Sequence, residues 1–125
     1  MIPGRVEMTV EIRGMDEAVL DAAEAALRER APLRVISRKP PIASSEQLLD
    51  ILERACARLG LSSRPMSSGA GHDAMCMAAL GPQAMVFVPS RGGISHSPLE
   101  FTEPAQCVNG ARVMLEALLE LDRVL

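Results

Sequence analysis

The sequence predicts an α/β fold in which a β-α-β module over residues 1–39 precedes a second α/β module over residues 40–125. Residues 5–12 alternate, with Val6, Met8, Val10 and Ile12 on one side and Arg5, Glu7, Thr9 and Glu11 on the other, which is the period of a half-buried strand. Val19, Leu20, Ala23, Ala26 and Leu27 then recur at helical spacing. Further along, Met85, Val86, Phe87 and Val88 form an unbroken apolar run between Gly81-Pro82 and Pro89, as a strand buried on both faces requires.

The remaining elements follow in chain order. After the first strand, Asp16 stands at an N-cap position with Glu17 in the first turn, so a helix of about four turns runs to Arg30. Pro32 ends it, and the β-branched stretch Leu33-Arg34-Val35-Ile36-Ser37 reads as a second strand. Lys39-Pro40-Pro41 continues neither strand nor helix and marks the module boundary. Ser44 and Gln47 have capping-box spacing, Leu48, Leu52, Ala55 and Leu59 share a face, and Gly60 supplies the stop. Residues 67–73 form a small-residue loop, residues 74–80 a short apolar helix, and residues 90–98 a second Gly-rich loop. Thr102 caps a last helix with Glu103 and Pro104 in its first turn, and Cys107, Ala111, Met114, Leu118, Leu121 and Leu125 mark its expected buried face.

Composition excludes several classes of function. A chain of 125 residues, 48% hydrophobic and 23% charged, suits one soluble domain and needs no disulfide framework or structural metal to stabilise it. The 3 cysteines, Cys56, Cys76 and Cys107, form no CxxC pair and point to a reducing compartment, with the cytoplasm as default. A net charge of −3 offers no basic field for nucleic acid or an anionic membrane, and 2% aromatic residues offer no base-stacking platform. The amino terminus turns polar at once, so export is not indicated, and the uncharged stretch 74–90 is too short and too broken to span a membrane.

Both histidines, His72 and His96, lie in Gly-rich loops beside apolar elements, where an open α/β sheet places its ligands. Loop histidines serve more often as hydrogen-bonded turn residues than as metal ligands, so both readings stand, and 2 histidines are too few for a dinuclear site. His72 adjoins Asp73, and Ser95 and Ser97 flank His96, but no GxSxG elbow occurs and no cysteine neighbours a histidine. Gly69-Ala70-Gly71 lacks the GxGxxG spacing and any GKS sequel, which leaves a tight turn rather than a phosphate cradle. The methionines read as core filler.

Taken together, Ser68-Gly69-Ala70-Gly71-His72-Asp73-Ala74, the run from Val86 through Ser90-Arg91-Gly92-Gly93-Ile94-Ser95-His96-Ser97-Pro98, and Asn109-Gly110-Ala111 resemble the metal-dependent amidohydrolases. That family includes N-carbamoyl-L-amino-acid hydrolases and the ureidoglycolate and allantoate amidohydrolases, within the M20 metallopeptidase group. Ile2-Pro3-Gly4-Arg5-Val6 with Glu11-Ile12-Arg13 is similar to a strand of its lid domain, so the resemblance covers essentially the whole chain. It implies that residues 1–39 are a β-α-β piece of a lid and dimerisation domain, and that residues 40–125 are the carboxyl-terminal part of an α/β metallohydrolase catalytic domain. It further implies His96 as a ligand to one of two paired divalent metals, zinc or manganese. Arg13 is implied as the arginine that holds the substrate carboxylate, and Gly71 and His72 as residues lining the substrate pocket.

The departures from the family pattern set further expectations. The HxD motif, the bridging Asp, a ligand Glu, a further His and the catalytic Glu have no counterpart in this sequence, so no catalytic residue is assigned. A single histidine does not make a zinc site. The expectation is therefore a truncated amidohydrolase, inactive alone and holding no metal stably, that self-associates or pairs with a missing amino-terminal half. A non-enzymatic scaffold that binds a partner chain or a small carboxylate is the rival expectation, and a piece of an M20 peptidase or aminoacylase is a third.

Overall fold

The computed structural model describes residues 2–124. Its helices are α1 (Glu17–Arg28), α2 (Glu46–Arg58), α3 (Asp73–Met77) and α4 (Pro104–Val124), with a 3₁₀ turn at Arg91–Gly93. Two compact units divide the chain: Met1–Ala43 with Ser67–Ala70, and Ser44–Met66 with Gly71–Leu125.

The first unit holds α1. Asp16 caps it as its position suggests, the carboxylate accepting from the amides of Ala18 (2.8 Å) and Val19 (3.3 Å). Glu17, Asp21 and Glu24 fall three and four residues apart on one side of the helix, and the Arg38 guanidinium bridges all three, reaching Glu24 at 3.2 Å. No residue of α1 is buried.

The second unit holds the core. Ile51 and Ala55, one turn apart on α2, bury themselves with Val113 and Ala117, one turn apart on α4. The alanines leave room for the two helices to approach, and Leu48, Leu52, Cys56, Leu59, Leu61, Val86 and Leu121 close around them. Arg54 and Arg58 reach across to Glu120, each at 2.6 Å. At the end of α2, Gly60 takes a φ of 66° while Leu61 N–H donates to Cys56 O (2.9 Å) and Gly60 N–H to Ala57 O (3.1 Å). This Schellman arrangement satisfies carbonyls that the helix leaves open.

Several sequence expectations need correction. The α/β class and the β-α-β module are not observed: among the described residues no strand forms at 5–12, 33–37 or 85–88. Alternation records which side of a segment is apolar, but a strand exists only when a neighbour pairs with its backbone. No backbone ladder reaches these segments among the described residues, and Val6, Met8 and Ile36 stay 68%, 78% and 72% exposed. The cap of α2 is Ser45 rather than Ser44, because Ser45 N–H is anchored to Gln83 O (2.8 Å) and its hydroxyl accepts from Leu48 N–H (3.4 Å). Helix α4 buries Val113 and Ala117 instead of Cys107, Ala111, Met114 and Leu118, since α2 packs on that other side. Leu125 lies outside the described residues.

The side of α4 expected to be buried instead lines an apolar pocket of about 330 Å³ with Val86 and Val88. Gly110 allows that segment to come close: a Cβ built there would stand 2.6 Å from Val88 Cγ1.

Candidate functional site

His96 sits in the loop between the apolar segment 85–88 and α4, and this loop is tied at its base. Arg91 N–H donates to Phe101 O (2.8 Å), its guanidinium pairs with Glu103 (2.7 Å), and the same guanidinium stacks 4.3 Å from the centre of the Phe101 ring. Gly92 and Gly93 turn the chain with φ of 64° and 67°, a conformation that L side chains rarely adopt. His96 itself is exposed and has a φ of 55°. Its N–H donates to Glu100 Oε2 at 2.8 Å.

In the first unit, Arg13 donates to the Gly69 carbonyl and pairs with Glu11, with Nε at 3.0 Å and Nη2 at 2.9 Å. Hydrogen bonding to Arg13, reinforced by its charge, holds the Glu11 carboxyl below the usual carboxylate range, and Glu11 in turn holds Arg13 above its ordinary value. An incoming carboxylate would therefore meet a guanidinium already engaged by Glu11. Ser68 Oγ fastens the same loop, donating to Ala70 O (2.9 Å) and accepting from Ala70 N–H (3.3 Å).

In the second unit, His72 precedes α3 with no side-chain cap, and its Nδ1 is buried without a hydrogen-bond partner. Gly71 is exposed, and a Cβ built on it would meet nothing within 4 Å. Packing within this chain therefore does not require glycine at 71. The structure thus joins Arg13 to Gly69 within the first unit and His96 to Glu100 within the second.

Residues 6–120 match peptidase family M20/M25/M40. The chain belongs to that family. It is 37% identical over 96% of its length to an uncharacterized hydrolase of Haemophilus influenzae, and covers 32% of that protein. It is 32% identical to an N-carbamoyl-L-amino-acid amidohydrolase of Rhizobium meliloti and 34% identical to an allantoate amidohydrolase of Bacillus subtilis, again covering 32% of each. A crystal structure of an amidase of the hydantoinase/carbamoylase family from Burkholderia multivorans superposes with a TM-score of 0.79 at 36% identity, over 86% of this chain and 29% of that one. The chain thus spans about a third of the length of the curated relatives it matches.

M20-family amidohydrolases are generally metal-dependent, so the donors of this M20 chain bear on that chemistry. Among the described residues no three His, Cys, Asp or Glu side chains gather to hold a metal ion. His72 Nδ1 is an orphaned donor atom, but such a site needs three or four ligands. The residues present do not by themselves fit a metal centre.

Sequence reasoning gave Glu100 and Phe101 no role and named Arg91 only within the motif and Glu103 only beside the last helix, whereas all four shape the loop around His96. The i, i+4 spacing of His96 and Glu100 across Pro98 was the available signal.

Proposed function

We propose that this chain is part of a metal-dependent amidohydrolase that cleaves the C–N bond of N-carbamoyl (ureido) amino acids. The observation that carries this reading is the M20 match over residues 6–120, together with identities of 32% and 34% to proteins named for N-carbamoyl-L-amino-acid and allantoate hydrolysis. In this reading Arg13 exchanges its Glu11 partner for the substrate carboxylate, which its planar fork can grip in two places. Gly71 and His72 of the second unit are assigned to substrate binding in the whole enzyme, and the Nδ1 of His72 has no hydrogen-bond partner within this chain. His96 is one ligand of a divalent metal whose other ligands come from outside this chain, so the chain alone is inactive and holds no metal stably. Its 3 free cysteines favour a reducing compartment, and we assign it to the cytoplasm. Exposed Val6 and Met8 favour self-association.

Co-expression with the amino-terminal part of a related amidohydrolase tests the reading. A co-purified complex is expected to hydrolyse N-carbamoyl amino acids. His96→Ala is expected to abolish that activity, and Arg13→Lys to raise KM mainly. An active complex indifferent to His96→Ala would remove His96 from the site. Elemental analysis of the dialysed chain alone should find metal well below one ion per chain.

A further inference from the structure

We infer that Glu100 is a positioning residue for His96: its carboxylate holds the His96 backbone in the left-handed region and so fixes the direction in which the imidazole leaves the loop. The inference rests on the reading of His96 as a site residue. A φ of 55° is unfavourable for a residue with a Cβ, and it persists only where the surroundings enforce it. Here the enforcing contacts form a small closed ring. Glu100 Oε2 accepts from His96 N–H at 2.8 Å, Glu100 N–H donates to Ser97 O at 2.9 Å, and Ser97 Oγ accepts from Leu99 N–H at 3.2 Å. Pro98 occupies the second position of the Ser97-to-Glu100 turn, where its fixed φ suits the bend.

Each part of the ring has a chemical reason. A carboxylate is the strongest side-chain acceptor available to a backbone N–H, and four residues is the separation at which the tight turn brings it back over His96. Both residues are exposed, so water competes for this bond. The Arg91 contacts to Phe101 and Glu103 limit that competition by keeping the two ends of the loop together. Without Glu100, His96 would relax toward the extended backbone that most residues prefer, and its ring would point elsewhere.

The test is read on the isotope-labelled chain by nuclear magnetic resonance, with Glu100→Ala and Glu100→Gln compared against the unaltered protein. In Glu100→Ala, exchange of the His96 amide with solvent should speed up about tenfold or more, as expected on losing a bond to a charged acceptor. The coupling between its amide and α protons should also leave the left-handed value. Glu100→Gln keeps an acceptor oxygen and should restore most of both signals, with urea unfolding curves unchanged in either variant. An unchanged His96 amide in Glu100→Ala would overturn the inference, as would a Gln variant as defective as the Ala variant. In a co-purified active complex, Glu100→Ala should lower kcat and Glu100→Gln should recover it. If the amide responds as expected but no complex hydrolyses N-carbamoyl amino acids, the proposed function fails while the positioning of His96 by Glu100 stands.

Discussion

Helices α1 and α2 look alike in sequence and differ in what holds them. They are 12 and 13 residues long, each is capped by a side-chain oxygen, each opens with a glutamate and ends with an arginine, and each carries an apolar stripe. Yet α2 buries Ile51 and Ala55, while α1 buries nothing and keeps Val19 62% exposed. The cause is the partner each one finds. Helix α4 offers α2 a matching pair of residues one turn apart, Val113 and Ala117, whereas in its own unit α1 has its acidic row covered by Arg38. An amphipathic stripe shows that a helix has a face to cover, and the cover has to be supplied by another element.

Truncating the packed stripe should have the largest effect. Ile51→Ala removes a side chain that is 2% exposed and leaves a void between α2 and α4, so the second unit should lose about 3 kcal/mol in urea unfolding. The corresponding truncation on α1, Val19→Ala, should stay within about 0.5 kcal/mol because that side chain is exposed. Equal losses at the two sites would end the contrast between the helices.

Next in size is Gly60→Ala at the end of α2. The space beside Gly60 is open, so the cost comes from the backbone alone: a φ of 66° penalises any Cβ, and about 1 kcal/mol should be lost. This position also shows what could be read locally. The cap at Asp16, the stop at Gly60 and Pro104 at the start of α4 depend on a few adjacent residues, and the sequence carried that information. Pairing did not share this property. The alternation at 5–12 and the apolar run at 85–88 mark sides, and no neighbouring strand is present among the described residues to turn them into a sheet. The choice of Val113 and Ala117 over Cys107 and Ala111 depended on where α2 would lie, which the α4 sequence does not encode. At the candidate site, the loops bearing His72 and His96 were legible from their glycines and histidines. The contact of Glu100 left only its four-residue spacing from His96 as a signal, and those of Arg91 left none, because nothing in the local pattern says which way a surface guanidinium will fold.

Acid should distinguish the helices through Glu120. Hydrogen bonds from Arg54 and Arg58 hold its carboxyl below the usual carboxylate range in the folded chain. A depressed folded value gives a contribution that is present above the unfolded value and lost as pH falls through the folded one. Urea midpoints of the second unit should therefore fall as the solution is acidified through and below the normal glutamate range. Glu120→Gln should flatten that part of the curve. An identical acid slope in the Gln variant would show that these ion pairs contribute nothing measurable to the contact between α2 and α4.

The smallest effect belongs to Arg38. Its guanidinium faces Glu17, Asp21 and Glu24, and Asp21 makes the largest contribution to holding Arg38 above its ordinary value. Without Arg38 the three carboxylates on one side of α1 would repel one another at separations of three and four residues. Arg38, Glu17 and Asp21 are exposed and Glu24 is half-buried, so salt screens most of both the attraction and the repulsion. Arg38→Ala should accordingly speed amide exchange within α1 at low ionic strength, leave the exchange of Ile51 and Ala55 amides unchanged, and lose most of its effect in concentrated salt. An effect of the same size at high salt would mean that Arg38 supports α1 by packing its stem rather than by its charge. In that case α1 would differ from α2 in the amount of apolar cover it receives and not in kind.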